Sequence, residues 1–131
     1  MDYVEQVLRA VEAIPPGRVC AYSDILFRAS VVERALAHPA DIVLCVDTRW
    51  RDRYSDRTQH PETDAEKVLL DGDRVARIHR DIPSADADGE YIGVARFNRR
   101  GAALLKAHYE KALRAYGGRA WREARVFEKA Y

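Results

Sequence analysis

Asp24 stands near the close of Arg18-Val19-Cys20-Ala21-Tyr22-Ser23-Asp24-Ile25-Leu26-Phe27, a run with the pattern of a short buried strand that stops at a carboxylate. Strand carboxyl ends are where α/β sheets open their ligand crevices. A carboxylate there is a hard oxygen ligand for Mg²⁺, the usual ion where phosphate groups are moved. Asp47 ends a second apolar run that starts at Asp41, so two acids at strand ends could share one metal. The plainer reading of each is an ordinary loop-entry residue.

Three further groups of residues could do chemistry. Asp64-Ala65-Glu66-Lys67 leads into a hairpin and Arg80 follows it. Lysine and arginine beside a phosphate would neutralise charge in a transition state, although a solvated hairpin face accounts for the same residues. Asp88-Gly89-Glu90-Tyr91-Ile92-Gly93 could line a substrate pocket, with Gly93 admitting a ligand to the backbone; a tight turn into a strand uses the same letters. Arg49, Arg51, Arg53 and Arg57, with Arg28 from the earlier helix entry, could grip a phosphorylated substrate or nucleic acid, but Asp52, Asp56, Glu62 and Asp64 dilute them, and a mixed solvated loop is expected. His60, Glu62 and Asp64 fit no zinc pattern. The chain has no Gly-x-Ser-x-Gly, no Cys-x-x-Cys and no phosphate-binding glycine-rich loop.

The elements that must position these residues follow from periodicity. Asp2 to Glu5 has capping-box spacing, and Val4, Val7, Leu8, Val11 and Ile14 predict an amphipathic helix over 3–13, ended by Pro15-Pro16-Gly17. Residues 18–24 read as the first strand. Ser30-Val31-Val32-Glu33 reads as a second capping box, opening a helix to about Ala37 that His38-Pro39 stops. Residues 41–47 are apolar without alternation, as in a strand buried on both faces, so strand, helix and strand form a βαβ unit. Thr48 to Asp64 reads as a long polar loop. Asp71-Gly72 predicts a hairpin between residues 66–70 and 74–78. Ile82 to Asp88 reads as polar loop and residues 91–97 as a strand, where Gly93 signals a bulge or a close approach. Asn98 caps a long helix that Gly117-Gly118 is expected to stop, with a further helix beginning at Trp121.

The 131 residues suffice for one domain, and 47% hydrophobic with 33% charged residues is ordinary globular composition. A net charge of +1 gives no global basic field for nucleic acid. Cys20 and Cys45 lie in apolar runs and read as buried free thiols, with a disulfide between neighbouring strands as the lesser alternative. No signal peptide is expected, because Met1-Asp2-Tyr3 opens with an acid and no apolar stretch follows, and no run of the sequence reaches membrane-spanning length. A cytoplasmic domain is the expectation.

Taken in order, several of these segments resemble the nucleotidyltransferase superfamily that activates sugar phosphates, phosphocholine and phosphonates, in particular its cytidylyltransferase-like and phosphonate-pathway members. The resemblance runs from about Val19 to Tyr131. It rests on Tyr22-Ser23-Asp24-Ile25-Leu26-Phe27, on Val46 to Trp50 with Arg53-Tyr54, and on Asp64 to Val68. It continues through Asp71-Gly72, Val75 to Ile78, Ala87 to Phe97 and Phe127 to Tyr131. The resemblance implies α/β architecture: a partial Rossmann-like sheet with a βαβ unit and a β-hairpin. It implies attack by a phosphate or phosphonate oxygen on the α-phosphorus of a nucleoside triphosphate, CTP by preference, with Mg²⁺ as cofactor and pyrophosphate as leaving group. Asp24 would be the metal ligand. Lys67 and Arg80 would be catalytic, and Glu90 and Gly93 would bind the acceptor substrate. Arg80 stands where many relatives have lysine, keeping the charge and changing its geometry.

The family's opening glycine-rich nucleotide loop and its closing tryptophan with an acidic pair have no counterpart here, so the chain is expected to be a middle fragment: one incomplete domain over 1–131. Two alternatives carry different chemistry. Val7 to Ile25, with Ile14-Pro15-Pro16-Gly17-Arg18-Val19, is similar to the DNA-binding domain of alkylguanine alkyltransferases, where Asp24 would belong to a helix-turn-helix and Arg18 would touch phosphate. A non-catalytic remnant would self-associate through an exposed sheet edge. Purified chain is expected to release no pyrophosphate from any nucleoside triphosphate with Mg²⁺; measurable release in a coupled phosphate assay would refute this.

Overall fold

The computed structural model describes residues 18–59 and 61–123. The expected helix over 3–13, His60, and residues 124–131 lie outside them. Among the described residues the fold is mixed α/β, with five strands and two α-helices. In order these are β1 (Arg18–Ala21), α1 (Ala29–Ala37), β2 (Ile42–Asp47), β3 (Lys67–Asp71), β4 (Arg74–His79), β5 (Gly89–Phe97) and α2 (Arg99–Glu123). Two 3₁₀ turns, Trp50–Arg53 and Glu62–Asp64, lie between β2 and β3.

Every strand pairing is antiparallel, and β5 is the hub. β2 pairs along one edge of β5, from Ile42 opposite Phe97 to Asp47 opposite Glu90. The other edge is shared end to end: β1 takes Val94–Phe97, and β3 takes Gly89 and Glu90. β4 completes the sheet beyond β3. β1 and β2 therefore run parallel to each other but do not touch; the expected βαβ unit has β5 inserted between its strands. β2 is half-buried rather than buried on both faces, and among the described strands it pairs with β5 alone.

β5 bends where its partners change. Between Leu44 and Val46 one residue of β2 faces three of β5, and Gly93 sits there at φ +79°. The Tyr22 amide donates to the Gly93 carbonyl at 3.0 Å, and the Tyr91 amide to that of Glu66 at 2.9 Å. Both expectations for Gly93 are met. The bulge is present, and the close approach is made by the Tyr22 ring, whose Cδ2 lies 2.2 Å from where a Cβ would stand.

Several local readings hold. β3 and β4 form the hairpin, turning through Gly72-Asp73 with Gly72 at φ +59°. Asn98 caps α2, its Oδ1 accepting the Gly101 amide at 2.8 Å, while its Nδ2 donates to Asp41 Oδ1 at 2.8 Å. α1 ends at Ala37, with His38 extended before Pro39. Arg96, buried in β5, donates from Nε to the Ala35 carbonyl at 2.9 Å and from Nη2 to the His38 carbonyl, so a buried cation completes the C-terminal end of α1.

Others are corrected. β1 ends at Ala21, leaving Tyr22 to Asp24 outside the strand. The Ser30 capping box is not made: the helix begins at Ala29 with Arg28 as its N-cap, two residues before the expected one, and no side chain caps it. α2 passes through Gly117-Gly118 and takes in Trp121; its existing turns carry the glycines at a propensity cost. The loops after β2 and β4 are not simply polar. Trp50, Ala65, Ile82 and Ala87 form one buried cluster with Tyr54 and Leu69 against it, and Trp50 is 0% exposed. This small core staples both loops to the sheet. Trp50→Ala is expected to destabilise the domain by about 3–5 kcal/mol, read as a lower urea midpoint by circular dichroism; an unchanged midpoint would show that the loop folds independently of its anchor.

Candidate functional site

β1 and β2 both run against β5, so their carboxyl ends reach the same edge of the sheet as the start of β5. The start of β3 arrives there too, with Lys67 opposite Glu90. The topology thus gathers Tyr22 and Asp24 (after β1), Asp47 (ending β2), Glu66 and Lys67 (opening β3) and Glu90 and Tyr91 (in β5) along one rim.

Glu90 is the most heavily engaged of these. Its Oε1 accepts the Tyr54 hydroxyl at 2.5 Å and its Oε2 meets Arg53 Nη2 at 2.6 Å. Arg53 Nε also pairs with Asp47 Oδ2 at 2.9 Å, and Asp47 Oδ1 takes the Arg49 amide at 2.8 Å. Both carboxylates therefore hold the Trp50–Arg53 turn on the sheet. Asp47 has both oxygens committed, to the Arg49 amide and to Arg53, which is the part of a loop-entry residue. The remaining loop arginines are also occupied. Arg49 pairs with Asp52 at 2.9 Å, Arg51 donates to the Ser84 and Ala87 carbonyls and lies over Trp50, and Arg57 lies 4.8 Å from the Tyr54 ring centre.

Lys67 is 2% exposed. Its Nζ donates to the carbonyls of Arg80 at 2.5 Å, Thr63 at 3.4 Å and Ala65 at 3.5 Å. It ties the second 3₁₀ turn to the exit of β4. Arg80 is the exposed cation of the pair, with Nη2 at 4.0 Å from Glu66 Oε1. Glu66 Oε2 accepts the Tyr22 hydroxyl at 3.0 Å, and the Tyr22 and Tyr91 rings meet edge to face at 6.0 Å. Gly93 lies behind the Tyr22 ring.

Asp24 differs from the other acids of the rim. It is exposed in a turn and makes no hydrogen bond or ion pair among the described residues. Among those residues no group of three His, Cys, Asp or Glu side chains is placed to hold a metal ion. A site at Asp24 would thus be a single-carboxylate site completed by water and substrate, as Mg²⁺ accepts, and not an all-protein cage. Both cysteines are free, and burial pushes the Cys45 thiol up, with Arg34 opposing, which disfavours a reactive thiolate. No described helix is long and apolar enough to cross a membrane.

Sequence reading missed Trp50 as an anchor, Arg53 as the bridge between Asp47 and Glu90, and Tyr22 as the partner of Glu66. The one local signal was Trp50-Arg51, an aromatic residue inside a charged loop. Compared with known proteins, the chain matches no family model, no curated protein and no solved structure.

Burial, then the hydrogen bond to Glu90 and its charge, push the Tyr54 phenol up to about 12. An unfolded tyrosine titrates near pH ~10. Between those values the unfolded chain sheds a proton that the folded chain keeps, so this contribution is intact below pH ~10 and is lost as pH rises towards 12. Urea midpoints at pH 9, 10 and 11 should fall less steeply in Tyr54→Phe than in the parent; parallel slopes would contradict the assignment.

Proposed function

We propose that this chain carries the acceptor and metal side of a nucleotidyltransferase site. The reaction would transfer a nucleoside monophosphate from a nucleoside triphosphate, CTP by preference, to a phosphorylated or phosphonate small molecule with release of pyrophosphate. The observation that carries this reading is the exposed, uncommitted Asp24, beyond the carboxyl end of β1, on a rim where every other acid is already tied to protein.

The parallel pair β1 and β2, joined through α1, is the part of the fold that favours a Rossmann-like scaffold; the antiparallel β5 between them is where it departs. Asp24 would hold Mg²⁺, which when bound neutralises charge on the phosphates. Arg80, exposed beside Glu66, is the cation able to meet a phosphate oxygen. Lys67 serves by holding the Arg80 main chain, because its ammonium is enclosed by carbonyls. Glu90 keeps the Trp50–Arg53 turn against the rim and would shape the acceptor side rather than contact the acceptor freely. Binding without turnover is expected, since the 131 residues contain no glycine-rich loop to cradle the triphosphate. The strand status of Arg18–Ala21, paired with β5, favours this reading over a helix-turn-helix around Asp24.

CTP with Mg²⁺ at a hundredfold excess over Kd would stabilise the fold by about 2.7 kcal/mol, read as a rise of several degrees in thermal midpoint. Asp24→Asn should keep the ligand-free midpoint and lose the Mg²⁺-dependent rise. No rise with any of the four nucleoside triphosphates would overturn the reading, and salt-dependent stabilisation by duplex DNA would favour the DNA-binding alternative.

A further inference from the structure

Among the described residues three strands keep an open edge: β1, β2 and β4 each pair with a single neighbour. An open edge offers its amides and carbonyls to another strand, and folded proteins blunt such edges with short strands or with charges. β1 is short, at four residues. β4 carries Arg74 and Arg77, both exposed. β2 has neither protection. Ile42-Val43-Leu44-Cys45-Val46 holds no charge, no proline and no glycine, and its acids, Asp41 and Asp47, stand only at the two ends.

The pairing with β5 fixes which groups of β2 point outward. The Asn98 amide donates to the Asp41 carbonyl at 3.0 Å, so this pair of residues is a hydrogen-bonded position of the ladder. Hydrogen-bonded and non-hydrogen-bonded positions alternate along an antiparallel strand. The extra residues of the bulge lie on β5, so the alternation of β2 runs on through it. The amides and carbonyls of Ile42, Leu44 and Val46 are therefore directed away from β5, and an added strand must bond to these three.

Two copies related by a two-fold axis meet that condition in two registers that overlap most of β2. With the axis at Leu44, Asp41 of one copy lies opposite Asp47 of the other, and like charges directly opposite are unfavourable. With the axis at Cys45, Leu44 lies opposite Val46, and Asp41 comes beside Arg49, whose side chain is 86% exposed. Symmetry makes each of these contacts twice. The second register matches backbone groups, apolar side chains and charge together.

We propose that β2 is a homodimerisation edge: two copies of the chain pair their β2 strands antiparallel about a two-fold axis at Cys45, joining two five-stranded sheets into one. The occupant is a second copy because the acid before β2 and the arginine after it complement each other when the same segment runs back along itself. The inference does not depend on the reading of Asp24.

Sedimentation velocity of the full chain should show a reversible dimer. Mild oxidation with copper–phenanthroline should link it from Cys45 to Cys45, since facing residues of a non-hydrogen-bonded antiparallel pair have Cα atoms ~4.5 Å apart, within disulfide reach. Peptide mapping identifies the link, and Cys20→Ser should leave it in place. Cys45→Ser should lose the link and still sediment as a dimer. Arg49→Glu sets a like charge beside Asp41 at both ends, so the dimer should weaken about tenfold. Its far-UV circular dichroism should stay at the parent value, because Arg49 and its partner Asp52 are both exposed. A chain that sediments as a monomer at every concentration, a dimer whose Cys45 thiols stay unlinked, or a dimer indifferent to Arg49→Glu would overturn the proposal.

Discussion

The pairing of β5 on both edges at once is the constraint on which the rest of the structure depends. A nine-residue strand serves β2 along one side and two shorter strands, β1 and β3, in succession along the other. The hand-over happens at Gly93. A side chain there would meet the Tyr22 ring, and φ +79° is a conformation that other residues adopt at a cost. Because β5 bends at that point, β1 can leave the sheet and β3 can enter it without leaving the Gly93 carbonyl or the Tyr91 amide unpaired. The rim of acids exists because those two strand ends meet there.

Three cations join segments of the fold, two of them, Arg96 and Lys67, buried. Arg96 fastens the end of α1 to the central strand, Lys67 fastens a 3₁₀ turn to the exit of β4, and Arg53 bridges Asp47 and Glu90. Each places a cation against carbonyls or carboxylates that would otherwise be poorly satisfied away from water. With so many polar groups committed to holding the fold, the uncommitted ones stand out. Asp24 is the one acid of the rim without a partner among the described residues, and Arg80 is its exposed cation, paired with Glu66 only at 4.0 Å.

Local signals were legible wherever a residue's own backbone preference decides the outcome. Asp71-Gly72 announced the hairpin, Asn98 the cap of α2, Pro39 the stop of α1, and Gly93 the bulge. Signals that depend on burial were not. Trp50, Ile82 and Ala87 sit in stretches whose composition reads as polar, and only their meeting in space makes a core. Ser30 had capping-box spacing, but the helix starts two residues earlier than that spacing implies, with Arg28 as N-cap. Gly117-Gly118 read as a stop, yet α2 continues through the pair. At the site, the charge of Lys67 was visible and its enclosure was not; Glu90 was visible as an acid and not as the partner of Arg53 and Tyr54.

By itself the sequence determined the β3–β4 hairpin, the cap of α2 at Asn98, the stop of α1 before Pro39 and the strand character of residues 42–47 and 91–97, because those depend on φ preferences and on the run of apolar residues along a short stretch. Tertiary structure alone decided that β5 lies between β1 and β2, that the loop after β2 is anchored by a tryptophan, and that of two acids at strand ends one is tied down and the other is free. Those outcomes depend on contacts between residues as far apart as Tyr22 and Glu66 or Arg53 and Glu90. No local pattern encodes them, since each is a competition for partners that only the folded sheet brings within reach.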